Sequence, residues 1–222
     1  MILITGASDN HAKSLDNFIT SFIRYNEGRH HLSVWNLGMT DWVNRPHPAI
    51  SYKVFDYSKY PEWFDITKNA GEYAWKPAIV YDVAQTFPGE TVVWMDAGNL
   101  LTDSLRNLER FLRTNAMYSS YSVGRIMDWT HPKTIEALGC TWSTKLNRNG
   151  ACIGFNTSKE SARVCLKAWY DAALVKEVIA PEGSNRSNHR QDQSVFSILY
   201  YKYVGSDVIC NSFLGYTIHN DV

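Results

Sequence analysis

The sequence predicts an α/β fold with a mostly parallel central sheet flanked by helices. Three observations carry the prediction. Short apolar runs alternate with amphipathic helical stripes along nearly the whole chain, the pattern of stacked strand–helix units. The chain has 222 residues, 45% of them hydrophobic, enough to bury well over half of its unfolded surface without staples. No internal repeat or low-complexity segment interrupts the order, and length alone predicts one domain, or one with a small extra lobe.

Residues 1–5 (MILIT) form an apolar run closed by Gly6, a buried strand. A loop over 6–10 leads into a helix over about 11–25. Its apolar residues Leu15, Phe18, Ile19, Phe22 and Ile23 follow helical spacing and make one packed face. Strands are expected near 31–37 and 52–55, separated by the proline-bearing loop NRPHPAI. A helix starts near Lys76-Pro77, because proline in the first turn loses no hydrogen bond. Ile79, Val80, Val83, Ala84 and Phe87 continue its stripe to the stop at Pro88-Gly89. Residues 91–95 (TVVWM) read as a central strand ending in Asp96, followed by a helix over about 104–114. A strand at 151–155 precedes a helix over about 159–173 with Ala162, Cys165, Leu166, Trp169, Tyr170 and Ala173 on one face. Residues 181–189 are polar and read as a flexible loop. A last helix covers about 191–201, and a strand is expected near 207–210.

Composition excludes several functions. The 22 Lys+Arg balance the 22 Asp+Glu, so the chain lacks the basic excess of a nucleic-acid binder. Four cysteines, at 140, 152, 165 and 210, contain no CxxC pair, which argues against a zinc ribbon and for buried thiols in a reducing, cytoplasmic setting. No apolar run reaches the length of a membrane span, and the first strand lacks the basic flank of a signal peptide. The sequons at Asn156 and Asn185 are therefore read as chance. With 8 Trp, 13 Tyr and 9 Phe the chain is rich in rings, and Trp35, Trp42, Trp63, Trp129 and Trp142 fall in strand ends or loops. Rings so placed can line a ligand cleft, though ordinary packing uses rings first.

Four segments carry candidate chemistry. In open α/β sheets ligands bind beyond the carboxyl ends of strands. The first strand ends in Thr5-Gly6-Ala7-Ser8-Asp9-Asn10 before a helix start. Small residues there admit a nucleotide to the backbone N–H groups, while Asp9 or Asn10 can equally be a helix cap. TGAS is neither a P-loop nor a GxGxxG. The central strand ends in Asp96-Ala97-Gly98-Asn99. An acid there calls for a cation or hydrogen bonds, and a hard cation carrying a diphosphate suits it. Asp96 can also simply cap a turn. In Asn188-His189-Arg190-Gln191-Asp192-Gln193, Asp192 sits in a helix first turn, where the dipole is expected to keep it ionised. Lys76, in Tyr73-Ala74-Trp75-Lys76-Pro77, opposes the dipole of its own helix. A nearby phosphate would explain that, as would a surface lysine covering Trp75.

Taken in order, YAWKPAIVYDV, VVWMDAG, WTHPKTIEALG and HRQDQSVFSILYYKY resemble a group of GT-A-type glycosyltransferases. The chain is similar, too, to small viral and bacterial sugar transferases that open on an apolar strand and a nucleotide-binding turn. The resemblance runs from Gly71 to Tyr203, 133 of the 222 residues. It implies a GT-A-like sandwich forming a single domain over 1–222, or one domain of a longer protein. About 1–100 would bind the nucleotide-sugar donor and about 101–222 would face a glycan acceptor. It implies transfer of a sugar from a UDP- or GDP-sugar to a hydroxyl, assisted by Mn²⁺ or Mg²⁺. Thr5, Gly6, Ser8 and Asp9 would line the base and ribose pocket. Lys76, Asp96, Ala97 and Gly98 would meet the diphosphate. Asn149, Gly150, His189, Arg190 and Gln193 would contact donor sugar or acceptor. Asp192 would be the general base, or a donor-sugar contact if transfer retains configuration. Asp96 and His219 would hold the metal. The family's Asp-x-Asp lacks its second acid here, since position 98 is glycine. A non-catalytic nucleotide- or carbohydrate-binding module, and another α/β nucleotide enzyme such as a nucleotidyltransferase, stand as alternatives.

Overall fold

The computed structural model describes residues 1–26, 28–41, 44–204 and 213–222. Its centre is a six-stranded sheet of order β3-β2-β1-β4-β9-β6. These strands are β1 (Ile2–Ala7), β2 (His31–Asn36), β3 (Ile50–Val54), β4 (Thr91–Met95), β6 (Met117–Tyr118) and β9 (Cys152–Asn156). The pairs β1–β2, β2–β3 and β1–β4 are parallel. β9 runs antiparallel to both β4 and β6. Two small antiparallel pairs lie outside this sheet: β5 (Leu100–Leu101) with β10 (Tyr216–Thr217), and β7 (Tyr121–Arg125) with β8 (Leu146–Arg148).

Side chains of β4 alternate between two cores, as the period of a strand requires. Val93 and Met95 join Leu3, Leu32 and Val34. On that side lie α1 (Ala12–Tyr25), with Leu15, Phe18, Ile19 and Phe22, and α3 (Arg106–Thr114), with Leu108 and Leu112. Val92 and Trp94 face the other way, with Ile4, Ile153 and Phe155. That side is covered by α2 (Trp75–Thr86), α6 (Glu160–Ala173) and α8 (Gln191–Val204). Helices α1 and α6 carry their predicted stripes inward; Ile23, at the edge of the α1 stripe, stays exposed.

The predicted elements up to the last helix occur in order, with differences at their ends, but the short strands β5, β6, β7, β8 and β10 were not predicted. The first helix is preceded by a short 3₁₀ turn over Asp9–His11, and no side chain caps it. The third strand begins at Ile50 and the last helix reaches Val204. Short helices α4 (Ile126–Trp129), α5 (Pro132–Ala137) and α7 (Lys176–Ile179) fill stretches that carry no clear stripe. The strand expected at 207–210, with Cys210, and Trp42 lie outside the described residues. Cys152 and Cys165 are buried thiols, and Cys140 is half-buried. No helix among the described residues is long and apolar enough to cross a membrane.

Candidate active site

The strand order locates a crevice. After β1 the chain builds outward to β2 and β3, then returns to place β4 on the other side of β1. Neighbouring strands leave their carboxyl ends in opposite directions there, and the gap receives ligands. A cavity of about 470 Å³ opens at this edge, within the range of small-molecule sites.

Four segments meet in it, among others. From the end of β1 come Gly6, Ala7 and Ser8, continued by Asn10 and His11. The end of β4 contributes Asp96, Ala97, Gly98 and Asn99. Asn149 and Gly150 arrive because β9 runs antiparallel to β4, so its beginning lies at β4's end. Asp96 N–H and Asn99 Nδ2 both donate to Ala151 O, at 2.9 and 2.7 Å, and pin the two segments together. The first turn of α8 closes the far wall with Arg190, Gln191, Asp192 and Gln193. Gln193 lies over Gly150, where a Cβ would touch its side chain.

Lys76 is the hub. It is 4% exposed, and its Nζ stands 3.1 Å from Asp96 Oδ1 and 3.1 Å from Asp192 Oδ2. It also donates to Gly150 O at 3.3 Å and lies over the rings of Tyr73 and Trp94. A lysine against its own helix dipole therefore has its counter-charges within the chain, where a surface position or an external phosphate was the expectation. Trp94 Nε1 donates to Asp96 Oδ1 at 2.6 Å and orients that carboxylate.

One ammonium shared between two carboxylates leaves the cluster one positive charge short. The charge states follow from this. Lys76 faces two anions, which outweigh its burial and push its pKa above the ordinary lysine value. Asp192 is pushed up, first by burial and also by Asp96, with Lys76 opposing both. The dipole of α8 was expected to keep Asp192 ionised; burial of the carboxylate works against that.

Strained backbone borders the site. Asn69, Ala70, Gly71, Glu72 and Tyr73 all have positive φ, a left-handed turn leading into α2. Only Gly71 is a residue that adopts this conformation readily, and a Cβ there would collide with Phe64 O. Gln191, with φ of 38°, is tied from its Nε2 to Glu72 Oε2 at 3.4 Å. Strain of this kind costs about 1–3 kcal/mol per residue and concentrates at functional sites.

The remaining sequence candidates divide. His219 lines the cavity. Thr5 is buried within β1 and Asp9 accepts hydrogen bonds from Thr40, so neither lines the cavity. His189 is fully buried, and both its ring nitrogens are used. Nδ1 accepts from His131 N–H at 3.2 Å and Nε2 donates to Ile179 O at 2.8 Å. His189 therefore latches the loop before α8 and does not face the crevice. Burial lowers its pKa from 6.5 to about 4. A depressed histidine pKa means that the native state binds fewer protons, so its stabilisation is complete above pH 6.5 and lost as pH falls toward 4. The expected loss is ~3 kcal/mol. Thermal unfolding between pH 7 and 4 should show less acid sensitivity in His189→Gln than in the wild type. An equal pH dependence in the two proteins would contradict the assignment.

Among the described loop tryptophans only Trp129 lines the cavity, with Arg190 stacked 4.2 Å from its ring. Trp35 is buried in the core, while Trp63 and Trp142 donate to Ala173 O and Ile198 O. Tyr73, Trp75 and Trp94 also line the cavity. Asp221 was missed altogether, since a carboxylate near the last described residue carries no local signal. Arg186, over Tyr73, was also missed.

The same architecture occurs in known glycosyltransferases. WbbM, a bifunctional glycosyltransferase in its apo form, superposes with a TM-score of 0.56 at 14% identity, over 91% of this chain and 38% of that one. The galactosyltransferase LgtC, in complex with donor and acceptor sugar analogues, gives 0.57 at 16% identity, over 92% and 71%. An active-site mutant of LgtC gives 0.53 at 15% identity, again over 92% and 71%. This chain thus spans little more than a third of WbbM. No family model and no curated protein sequence matches it. At these identities the likeness establishes the fold: an α/β, GT-A-like sandwich with a mostly parallel sheet, shared with glycosyltransferases.

Proposed function

We propose that the protein is a glycosyltransferase that moves a sugar from a UDP- or GDP-sugar to a hydroxyl of a glycan acceptor. The observation that carries this reading is the Asp96–Lys76–Asp192 cluster at the switch-point crevice of a fold shared with glycosyltransferases. The nucleotide would lie along Gly6, Ala7 and Ser8, the diphosphate near Asp96 and Lys76, and the sugar against Asn149, Gly150 and Gln193. Arg190, stacked on Trp129, would face the acceptor.

The residues fit a divalent cation. Asp96 keeps 41% of its side chain exposed. Asn99 Oδ1 is buried at the cavity wall and accepts no hydrogen bond among the described residues. Oxygen donors of this type suit Mg²⁺ or Mn²⁺, which take few protein ligands when phosphate oxygens complete the shell. Among the described residues no three His, Cys, Asp or Glu side chains form a site by themselves, so Asp96 and His219 would hold the ion jointly with the donor. When bound, the ion neutralises charge on the leaving diphosphate. A diphosphate alone would meet a cluster already one positive charge short.

Asp192 would take the proton of the acceptor hydroxyl as its oxygen bonds to the anomeric carbon. The bond from that carbon to the diphosphate breaks, and the diphosphate leaves with the electron pair. Burial raises the basicity of Asp192, in the sense a general base needs. Lys76 would stabilise the leaving oxygens. The depth of Asp192, at 4% exposure, favours a second reading in which it contacts the donor sugar and transfer retains configuration. The anomeric ¹H NMR signal of the first product separates the two.

The test is release of UDP or GDP from a panel of nucleotide sugars, with and without Mn²⁺. Asp96→Ala is expected to lower release about a hundredfold or more. Full turnover in that variant, or no binding of any nucleotide sugar by the wild type, would remove the reading.

A further inference from the structure

We propose that Asp221 supplies the second carboxylate of a divalent-cation site whose first is Asp96, from the space that a side chain at position 98 would fill. This rests on the nucleotide-sugar reading above and concerns the same crevice.

A Cβ built on Gly98 would collide with the carboxylate of Asp221, meeting both oxygens and Cγ. An acid two residues after Asp96 is therefore replaced in space by an acid 123 positions further along the chain. The placement is set by backbone. Tyr216 pairs with Leu101 in the β5–β10 ladder, and its hydroxyl meets that of Tyr118 at 2.7 Å. Asn220 N–H then donates to Gly98 O at 2.7 Å, and Val222 N–H to Ser14 Oγ at 3.1 Å. These bonds draw the segment across the β4 turn on both sides of Asp221.

The carboxylate itself has no such fastening. Among the described residues the one ionisable group within ion-pair range is His11, whose Nε2 lies 3.8 Å away, and the Asp221 side chain remains 49% exposed. A carboxylate pressed against a glycine backbone, without a hydrogen bond among the described residues, in a cavity whose other acids already outnumber its lysine, is electrostatically unfavourable as it stands. Asn99 Oδ1 is the independent sign of a ligand. It is a buried carbonyl oxygen on the same turn, lining the same cavity, with nothing donating to it among the described residues. It can only accept a hydrogen bond or bind a cation. Asp96, Asn99 and Asp221 line the same cavity and offer it hard oxygen donors, a set that a divalent cation with diphosphate oxygens would complete.

The test reads Mn²⁺ binding by EPR, with Mn²⁺ alone and with Mn²⁺ plus UDP or GDP, and nucleotide binding by calorimetry without metal. Asp221→Asn keeps the shape and removes the charge. It is expected to weaken Mn²⁺ binding in the presence of nucleotide by about tenfold or more. Moving the acid, as Gly98→Asp combined with Asp221→Gly, is expected to restore binding to within a few-fold of wild type. Equal Mn²⁺ affinity in wild type and Asp221→Asn, with both folded by circular dichroism, would overturn the inference and leave the nucleotide reading intact. Wild type that binds nucleotide but no Mn²⁺ would also overturn it alone. Wild type that binds neither would overturn both.

Discussion

Asp192→Asn is expected to lower kcat for glycosyl transfer by about a hundred- to ten-thousand-fold, the range that a positioned general base contributes. The nucleotide-sugar KM should stay within a few-fold. The substitution preserves size and leaves Lys76 paired to Asp96, so folding should survive. It removes the one carboxylate that is both buried and directed at the crevice from α8. Because burial raises the pKa of Asp192, the wild-type rate should fall on the acid side as that carboxylate takes up a proton. The acid limb should disappear from the residual activity of the variant. Near-normal kcat in Asp192→Asn would exclude the base assignment. A KM rise with unchanged kcat would place Asp192 in uniform binding of the donor.

The second large effect is on stability. Lys76→Met is expected to destabilise the fold by ~3 kcal/mol, the low end for removing one partner of a buried ion pair. That corresponds to a fall in Tm of about 6–12 °C for a chain of this size. The reason is the carboxylate left behind: Asp192 is 4% exposed and would face Asp96 without a shared cation. Asp192 can protonate, which sets the direction with pH. Without Lys76 its folded pKa rises further above the unfolded value, so stability present in acid is lost as pH rises through the folded pKa. The deficit of Lys76→Met should therefore shrink toward pH 4–5 and grow toward pH 8. Adding Asp192→Asn should recover most of the stability at neutral pH but none of the activity. A Tm loss independent of pH, or no recovery in the double variant, would show that Lys76 acts by packing against Tyr73 and Trp94 and not by charge.

Much of the fold was legible because it depends on local pattern. The 3.6-residue stripes of α1 and α6, the apolar runs of β1 and β4, and the stop at Pro88-Gly89 each follow from propensity and burial within one element. The reversal of β9 was not legible. An apolar five-residue run has the same composition in either direction, and direction is decided by which neighbour completes its hydrogen bonds. That reversal brings Asn149 and Gly150 to Asp96. His189 shows the opposite error: a polar residue in a polar run looked like a ligand contact, yet its ring is enclosed and spends both nitrogens on backbone. The tryptophans divided the same way, since exposure in the chain does not determine exposure in space.

By itself, then, the sequence determined the alternation of strands and helices, the zero net charge and the identity of Lys76, Asp96 and Asp192 as chemically unusual residues. Only the tertiary structure decided that these three share one cluster, two carboxylates around a single ammonium, and that Asp221 fills the space left open at Gly98. Periodicity is encoded over a few residues, whereas pairing of charges is set by contacts between distant segments, as between Lys76 and Asp192, 116 positions apart. Such contacts form only when the two cores of the sheet have packed.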